Sequence, residues 1–203
     1  MLEVFKTAKA LIEKGWTKGC LARDKNDVQV DTVSPEACKF CLLGALFRAS
    51  NQDWATYNKA MCSIYRIMPT GLLVPGGTMT DFNDQRTKED VLYLLDTVIY
   101  GYEVLIDARA IIEKGWCQGS AAILSDGTVD KHCLITALQA ASHSRHFKPM
   151  KGFDLGETFK QTCGIDNIVL FNDKISTTKE MVLEAFDYVI GEVCSTQADS
   201  STP

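Results

Sequence analysis

The chain has 203 residues, of which 46% are hydrophobic and 23% are charged, and its formal net charge is −5. It has no apolar run near the roughly 20 residues of a membrane span and no basic stripe, so we expect neither membrane insertion nor nucleic-acid binding. Because the N-terminus lacks signal-peptide features and the eight cysteines are irregularly spaced, we predict reduced thiols and a cytoplasmic location.

The first predicted element is an amphipathic helix over residues 3–14, whose apolar residues share one face at helical spacing. Its end, AKALIEKGW, returns as ARAIIEKGW at 108–116. Gly15 and Gly115 stand where a left-handed glycine often ends a helix, so each is predicted to be a C-cap. The Trp that follows each glycine is expected to be a buried closure of the helix end, with a ligand-binding aromatic wall as the alternative.

A short hairpin or loop is predicted next, at 17–35 in the first copy and at 123–129 in the second. The second helix of the first copy is predicted from Ser34 to Ala49, because Ser-Pro-Glu is typical of a helix start. This helix contains CLLGAL, and the same block returns as CLITAL at 133–138.

The middle segments then differ, with a helix predicted at 53–68 in the first copy and only a short helix in the second. FND follows in both copies, at 82–84 and 171–173, and an apolar helical stripe comes after it. Between residues 88 and 114 only Gly101 could interrupt a helix, so we predict helix on both sides of it. Alanine at position 101 should then be neutral or slightly stabilising.

Three blocks that recur in one order indicate an internal duplication. We therefore predict a mainly α protein of two homologous helical repeats packed about a pseudo-twofold axis, with at most a short β-hairpin in each. The repeats are expected at 1–101 and 102–194, and the polar residues 195–203 are expected to be a disordered tail. A monomer with this internal symmetry, or a weak homodimer, would follow.

Cys41 and Cys133 occupy matching positions near a predicted helix start, where a thiol pKa is lowered. A cysteine nucleophile also needs a base, and the first copy contains no histidine, which excludes a duplicated Cys–His site. His132 is adjacent to Cys133 but would point away from it, so His143 or His146 would have to serve a single site. The alternative is that both cysteines are small buried hydrophobic residues. We assign no catalytic residue.

Cys38 and Cys41 form a CxxC pair, and a structural zinc ion would need a second pair of ligands. Only His143 and His146, in the other copy, could supply one. We therefore predict no metal site, and the chain contains no cofactor-binding motif.

Asn83-Asp84 and Asn172-Asp173 follow a Phe and precede a predicted helix in both copies. The simpler interpretation is local, since Asn and Asp side chains hydrogen-bond the backbone of a turn. The alternative is that they present an amide and a carboxylate to a ligand with donors, or to a basic side chain of a partner.

The segments 51–80 and 139–170 differ most between the copies. What both copies keep is expected to be scaffold, and what differs is expected to carry specific function. The ligand- or partner-binding candidates in these segments are Trp54, Tyr57, His143, Arg145, His146 and Lys148.

The combination LIEKGWTKG, FCLLGAL and FNDQRTKEDV resembles a family of short bacterial and phage proteins known only as a domain of unknown function. The usual unit there is a single copy of helix–GWxxG, CxxGAL and a (W/F)ND–TxEEV helix. The first copy matches through 5–50 and 82–99, and the second has Thr136 in place of Gly44. The resemblance implies a bacterial or viral origin but no activity or site.

We expect a non-enzymatic binding or regulatory protein of bacterial or phage origin. It would capture a host factor or a small signalling molecule, for example as a counter-defence inhibitor, so its partner is an unidentified protein or small molecule. The alternative is a cysteine-dependent hydrolase or transferase that uses Cys133 or Cys41.

Overall fold

A computed structural model describes residues 1–68, 72 and 77–191, and within them the chain is mainly helical. The first half contains α1 (Leu2–Lys14), β1 (Ala22–Arg23), β2 (Lys39–Phe40), α2 (Leu42–Ala49), α3 (Trp54–Ile67), α4 (Met79–Gln85) and the start of α5 (Lys88–Lys114). The second half continues with β3 (Ala122–Ser125), β4 (Thr128–His132), α6 (Leu134–His143), α7 (Leu155–Cys163), α8 (Ile168–Asp173) and α9 (Lys179–Ile190). The predicted tail at 195–203 and residues 69–71 and 73–76 lie outside the described residues.

The only sheets in the described ranges are two antiparallel pairs, β1 with β2 and β3 with β4. The β3–β4 hairpin turns at Asp126 and Gly127, which both have left-handed backbone with φ of 51° and 79°. This is the turn chemistry that tight hairpins need. The predicted mainly α fold, with at most a short β-hairpin in each repeat, is confirmed.

The chain divides into two compact units. Unit 1 comprises Met1–Glu103 together with Phe147–Asp154, and unit 2 comprises Val104–His146 together with the chain from Leu155 onward. The 147–154 segment therefore belongs by sequence to the second copy but packs in unit 1. The pseudo-twofold packing of the repeats and their predicted boundaries stay predictions.

The core of unit 1 forms because α1 presents one apolar face to α2. Phe5, Ala8 and Ile12 recur at helical spacing and are fully buried. The same face recurs in the second copy within α5, where the buried residues are Val104, Leu105, Ala108 and Ile112.

Helix α5 runs unbroken through Gly101, so the prediction of helix on both sides is confirmed. A Cβ at Gly101 would lie 3.1 Å from Cγ2 of Ile67 and 3.2 Å from Cζ of Phe153. Both distances are shorter than ordinary van der Waals contact, but both neighbours are side chains that can shift slightly. The packing therefore offsets the helix-propensity gain that alanine would bring.

The 147–154 segment lies along the N-terminal part of α5. The Tyr93 hydroxyl donates to the carbonyl oxygen of Lys148 at 2.9 Å. The two phenylalanine rings of the segment lie 5.2 and 5.8 Å from the ring of Tyr100, which is buried. These aromatic contacts make the segment part of the unit 1 core.

The predicted caps at Gly15 and Gly115 are confirmed in position, since their N–H groups donate to the carbonyls of Leu11 and Ile111, but the left-handed backbone typical of such caps is wrong. Gly15 has extended backbone, with φ of −166°. Glycine is required at both positions because another part of the backbone passes very close. A Cβ added to Gly15 would overlap the carbonyl oxygen of Cys38, and a Cβ added to Gly115 would overlap that of Asp130.

The prediction that the second helix starts at Ser34 is also wrong, because α2 begins only at Leu42. Residues 39–40 are instead a strand, in which Phe40 pairs with Ala22 and its N–H donates to the carbonyl of Gly15 at 2.9 Å. Cys41 is the N-cap, and its Sγ accepts from the Gly44 N–H at 3.3 Å.

Candidate functional site

The Asn-Asp pairs lie inside helices and not in turns before them. Asn83 is in α4 and Asn172 is in α8, and their side chains are only 1% and 2% exposed. The prediction that they hold a local turn is therefore wrong. Apart from the adjacent aspartate, the hydrogen-bond partners of each asparagine are distant in sequence.

Asn83 joins three parts of unit 1 through all of its hydrogen-bonding positions. Its Oδ1 accepts from Trp16 Nε1 at 3.0 Å and from the Leu42 N–H at 3.0 Å. Its Nδ2 donates to the Thr17 carbonyl at 3.1 Å and to Asp84 Oδ1 at 2.8 Å. The two donors on one side and two acceptors on the other fix the orientation of the amide. No hydrogen-bonding position of this amide remains for a ligand.

Asp84 extends the same network to the loop after α1. Its Oδ1 also accepts from the Gly19 N–H at 3.1 Å, and Gly19 has φ of +72°. Two adjacent polar side chains, Asn83 and Asp84, thus hold together the loop that contains Trp16, the start of α2 and helix α4.

Unit 2 repeats this arrangement bond for bond. Asn172 Oδ1 accepts from Trp116 Nε1 at 2.9 Å and Leu134 N at 3.1 Å, and its Nδ2 donates to the Cys117 carbonyl at 3.1 Å and Asp173 Oδ1 at 2.7 Å. Asp173 Oδ1 also accepts from the Gly119 N–H at 3.0 Å. The three repeated sequence blocks therefore meet at one place in each unit. We call this place, formed around Asn83 and Asp84 or Asn172 and Asp173, the Asn-Asp corner. Trp16 and Trp116 are half-buried and are held by their indole nitrogens, so the expected buried closure of each helix end is met only in part.

A cleft of about 340 Å³ opens beside this corner in unit 2. One wall is the loop 119–121, and the other two come from α6 and α8. The lining side chains of α6 and its N-cap are Cys133, Ile135, Thr136 and Gln139, and those of α8 are Val169, Asn172 and Asp173. This volume is in the range of small-molecule sites, and the mix of apolar walls with few polar groups is typical of them.

Asp173 is the charged group of the cleft. The Gly119 N–H, and after it the Asn172 amide, lower the pKa of the Asp173 carboxyl below its ordinary value, because both stabilise the charged form. Both of these bonds are made to Oδ1. Its Oδ2 accepts no hydrogen bond from the described residues, so it is available to a ligand donor.

The corresponding region of unit 1 carries aromatic side chains. Aligning CLLGAL with CLITAL makes Phe47 the counterpart of Gln139. The Phe47 ring centroid lies 4.6 Å from that of Trp54 and 5.7 Å from that of Tyr57, both on α3. We call these three rings the aromatic cluster. It occupies the side of α2 that corresponds to the open side of α6.

Gly44 and Thr136 mark a second difference between the units. A Cβ at Gly44 would overlap the Leu21 carbonyl oxygen, so the loop lies tightly against α2. At the equivalent position in unit 2, the Thr136 hydroxyl donates to the Ala121 carbonyl. The larger side chain takes part in the wall of the cleft.

The sequence-predicted candidates are distributed over both units. Trp54 is 64% exposed and Tyr57 is half-buried in the aromatic cluster. His143 has Nδ1 2.7 Å from the Gln139 carbonyl within its own helix. Arg145 pairs with Asp107, and the remaining two candidates, His146 and Lys148, are exposed. None of the six lines the cleft. Their binding roles stay predictions.

The two matching cysteines differ in environment. Cys41 is 6% exposed, and burial raises its pKa although the Gly44 N–H acts in the opposite direction. Cys133 is half-exposed in the cleft, and its Sγ lies 3.5 Å from Thr136 Oγ1. The idea of a small buried hydrophobic residue therefore fits Cys41 but only partly fits Cys133.

Histidine placement bears on the cysteine alternative. His132 belongs to β4 and not to a helix, and neighbours along an extended chain point to opposite sides. Its Nδ1 is buried without a hydrogen-bond partner in the described part of the chain.

Gln139 lines the cleft but was not among the candidates predicted from the sequence. An alignment of the two copies could have identified it, because Phe47 of the first copy aligns with Gln139 of the second.

We expect iodoacetamide to alkylate Cys133 roughly tenfold faster than Cys41 at pH 7.5, because the thiolate reacts and burial both shields Cys41 and raises its pKa. Labelling of Cys41 should increase as the pH approaches its raised pKa. Peptide mapping by mass spectrometry gives both rates, with the exposed thiols of Cys38 and Cys62 as internal references. Equal labelling of Cys41 and Cys38 would contradict the burial argument.

No three His, Cys, Asp or Glu side chains of the described residues are grouped so that they could hold a metal ion. None of the helices in the described ranges is both long and apolar enough to cross a membrane.

Comparison with known families gives one match, which occurs twice along the chain. The model of a "Family of unknown function (DUF6197)" matches residues 1–100 and again residues 102–192. No curated protein and no solved structure matches. The two matched ranges agree with the duplication that the sequence blocks predict.

Proposed function

The chain belongs to the family of unknown function DUF6197, and from this premise we propose that it is a non-enzymatic binding protein whose unit 2 cleft takes a ligand group. The observation that carries the proposal is the difference between two copies of one scaffold. Both keep the Asn-Asp corner, yet one has an aromatic cluster against its second helix and the other has an open cleft there. A duplicated scaffold leaves one copy able to acquire a binding role.

The lining of the cleft supports a ligand group with an apolar body and a hydrogen-bond donor. Ile135 and Val169 supply apolar surface on opposite sides. The ionised Asp173 carboxylate supplies a strong acceptor at the rim, which favours ammonium, amide, indole or hydroxyl donors and disfavours anions. The net charge of −5 acts in the same direction.

The test is a titration of the isotope-labelled full chain with fragment-sized amines, alcohols and phenols, followed by NMR. We expect saturable shifts of the backbone amides at 119–121, Ile135 and Thr136. Thr136→Arg should abolish them, because the long side chain fills the cleft. Val129→Arg is the matched control, since it adds the same side chain at an exposed hairpin position outside the cleft. If no fragment shifts these amides, the proposal is wrong.

The cysteine-dependent hydrolase or transferase stays as a second candidate because Cys133 lines the cleft at the N-cap of α6. Against it, no histidine lines the cleft to act as the base that a nucleophile needs. Cys133→Ala separates the two candidates. A binding protein should keep fragment binding in this variant and show no thiol-dependent turnover before or after the change. Turnover that disappears in the variant would favour the enzyme.

The biological setting is part of the same proposal. A bacterial or phage protein that captures a host factor or a small signalling molecule, for example as a counter-defence inhibitor, fits a small duplicated binding scaffold. The seven cysteines in the described ranges are all free, which supports a reducing compartment such as the cytoplasm. A monomer with internal symmetry and a weak homodimer both remain compatible with this proposal.

A further inference from the structure

We propose that the unit 2 cleft takes two aromatic side chains, spaced three residues apart on a helix of a partner protein, as unit 1 takes Trp54 and Tyr57 of its own α3. This inference rests on the proposed function and names the occupant of the same cleft. Its basis is that in unit 1 the rings of both residues pack on Phe47 at the corresponding side of the scaffold, although Trp54 stays 64% exposed.

The equivalence of the two places follows from the repeated blocks. Cys41 and Cys133 are the N-caps of α2 and α6, and both helices are anchored by the same asparagine bond to their first residue. Counting along the helices from these caps, Phe47 and Gln139 fall at the same turn and on the same side. The aromatic cluster therefore stands where unit 2 has the Gln139 wall of the cleft.

Two α3 side chains approach the equivalent positions in unit 1. The Tyr57 ring is edge-on to Phe47, with an interplanar angle of 87°, and Trp54 is tilted at 43° to the same ring. Burial raises the pKa of Tyr57, and the Cys41 thiol raises it further. The residue that both rings contact in unit 1, Phe47, is thus the counterpart of Gln139, which lines the unit 2 cleft.

Unit 2 does not provide a cover of its own from the described residues. Its third helix, α7, contributes no side chain to the cleft. It packs mainly on α9, where the rings of Phe159 and Phe186 lie 5.1 Å apart. Gln139 is exposed, so the surface that corresponds to Phe47 faces solvent.

The chemistry of the cleft suits such a pair. Ile135 and Val169 offer apolar surface to aromatic rings, and rings bring large buried area with few rotatable bonds. The indole N–H or the phenol O–H of the pair could donate to the open Oδ2 of Asp173. A helix that presents side chains at i and i+3 places both on one face, which is the spacing of Trp54 and Tyr57.

The test uses a peptide with the sequence of residues 53–67, in which Cys62 is replaced by Ser, added to the isotope-labelled full chain. We expect saturable shifts at 119–121, Ile135 and Thr136. A matched peptide with Trp54→Ala and Tyr57→Ala should bind at least tenfold more weakly. Gln139→Phe in the full chain should tighten binding roughly threefold to tenfold, because it restores the ring on which the pair packs in unit 1.

Four results would overturn the inference. If fragments bind the cleft but the peptide does not, the proposed aromatic occupant is wrong, while the proposed binding function is still supported. If the peptide shifts only residues around Cys41 and Phe47, it competes with α3 in unit 1 and not for the unit 2 cleft. Equal binding of the peptide and its alanine control would show that the aromatic pair is not what is recognised. If neither fragments nor peptide bind, the proposed function fails as well.

Discussion

Replacing Asn83 with alanine should destabilise unit 1 by about 3–5 kcal/mol, a large effect for a single polar side chain. The variant removes four hydrogen bonds at a side chain that is 1% exposed. It leaves the Trp16 indole N–H and the Leu42 backbone N–H without an acceptor, and each buried unpaired group costs about 1–3 kcal/mol. Urea unfolding followed by tryptophan fluorescence and circular dichroism measures the loss.

Two further variants make the Asn83 result specific. Asn83→Asp keeps the shape and the acceptor but cannot donate to the Thr17 carbonyl or to Asp84, so it should fail to restore stability. Asn58→Ala, at an exposed position of α3, should change stability by less than about 0.5 kcal/mol. A loss below 1 kcal/mol for Asn83→Ala would mean that water replaces the amide and that the corner is not a structural hub.

Gly44→Ala should destabilise unit 1 by about 2–4 kcal/mol, although alanine is the better helix former by about 1 kcal/mol. The added Cβ would overlap the Leu21 carbonyl oxygen, which is backbone and cannot rotate away. That carbonyl also accepts from the Cys41 N–H at 3.1 Å, so moving the loop weakens the start of α2. The midpoint of urea unfolding reports the change.

Gly101→Ala is the matched control for Gly44→Ala, because it places the same methyl group in a helix against side chains that can move. We expect its stability to stay within about 1 kcal/mol of the parent, since the helix gain and the crowding of Phe153 act in opposite directions. If both glycine variants were neutral, the conclusion that the loop lies tightly against α2 would be wrong.

The helices were predictable wherever the burial pattern is local. Residues 3–14 and 88–114 carry apolar stripes at helical spacing, and both form helices. The start of the second helix was not predictable in this way. Ser34 offers a good local cap, but Phe40 pairs with Ala22 in a strand, and this long-range pairing outweighs the cap preference. Propensity alone does not include that competition.

The site was predictable only in part, for the same physical reason. Repetition of the blocks indicated that they form the scaffold, but the role of Asn83 depends on Trp16, which is 67 positions away in the sequence. No local pattern encodes that distance. The cleft is harder still, because it depends on a helix that covers one copy and does not cover the other. The available clue in the sequence was that Phe47 in the first copy aligns with Gln139 in the second.

The 147–154 segment makes the duplication difficult to reverse. It comes from the second copy, yet its two phenylalanine rings cover Tyr100 and lie against Gly101 in the first unit. Once the cover existed, deleting the second copy would expose apolar surface on the first. Natural selection would then retain both copies even if only one of them carried the activity.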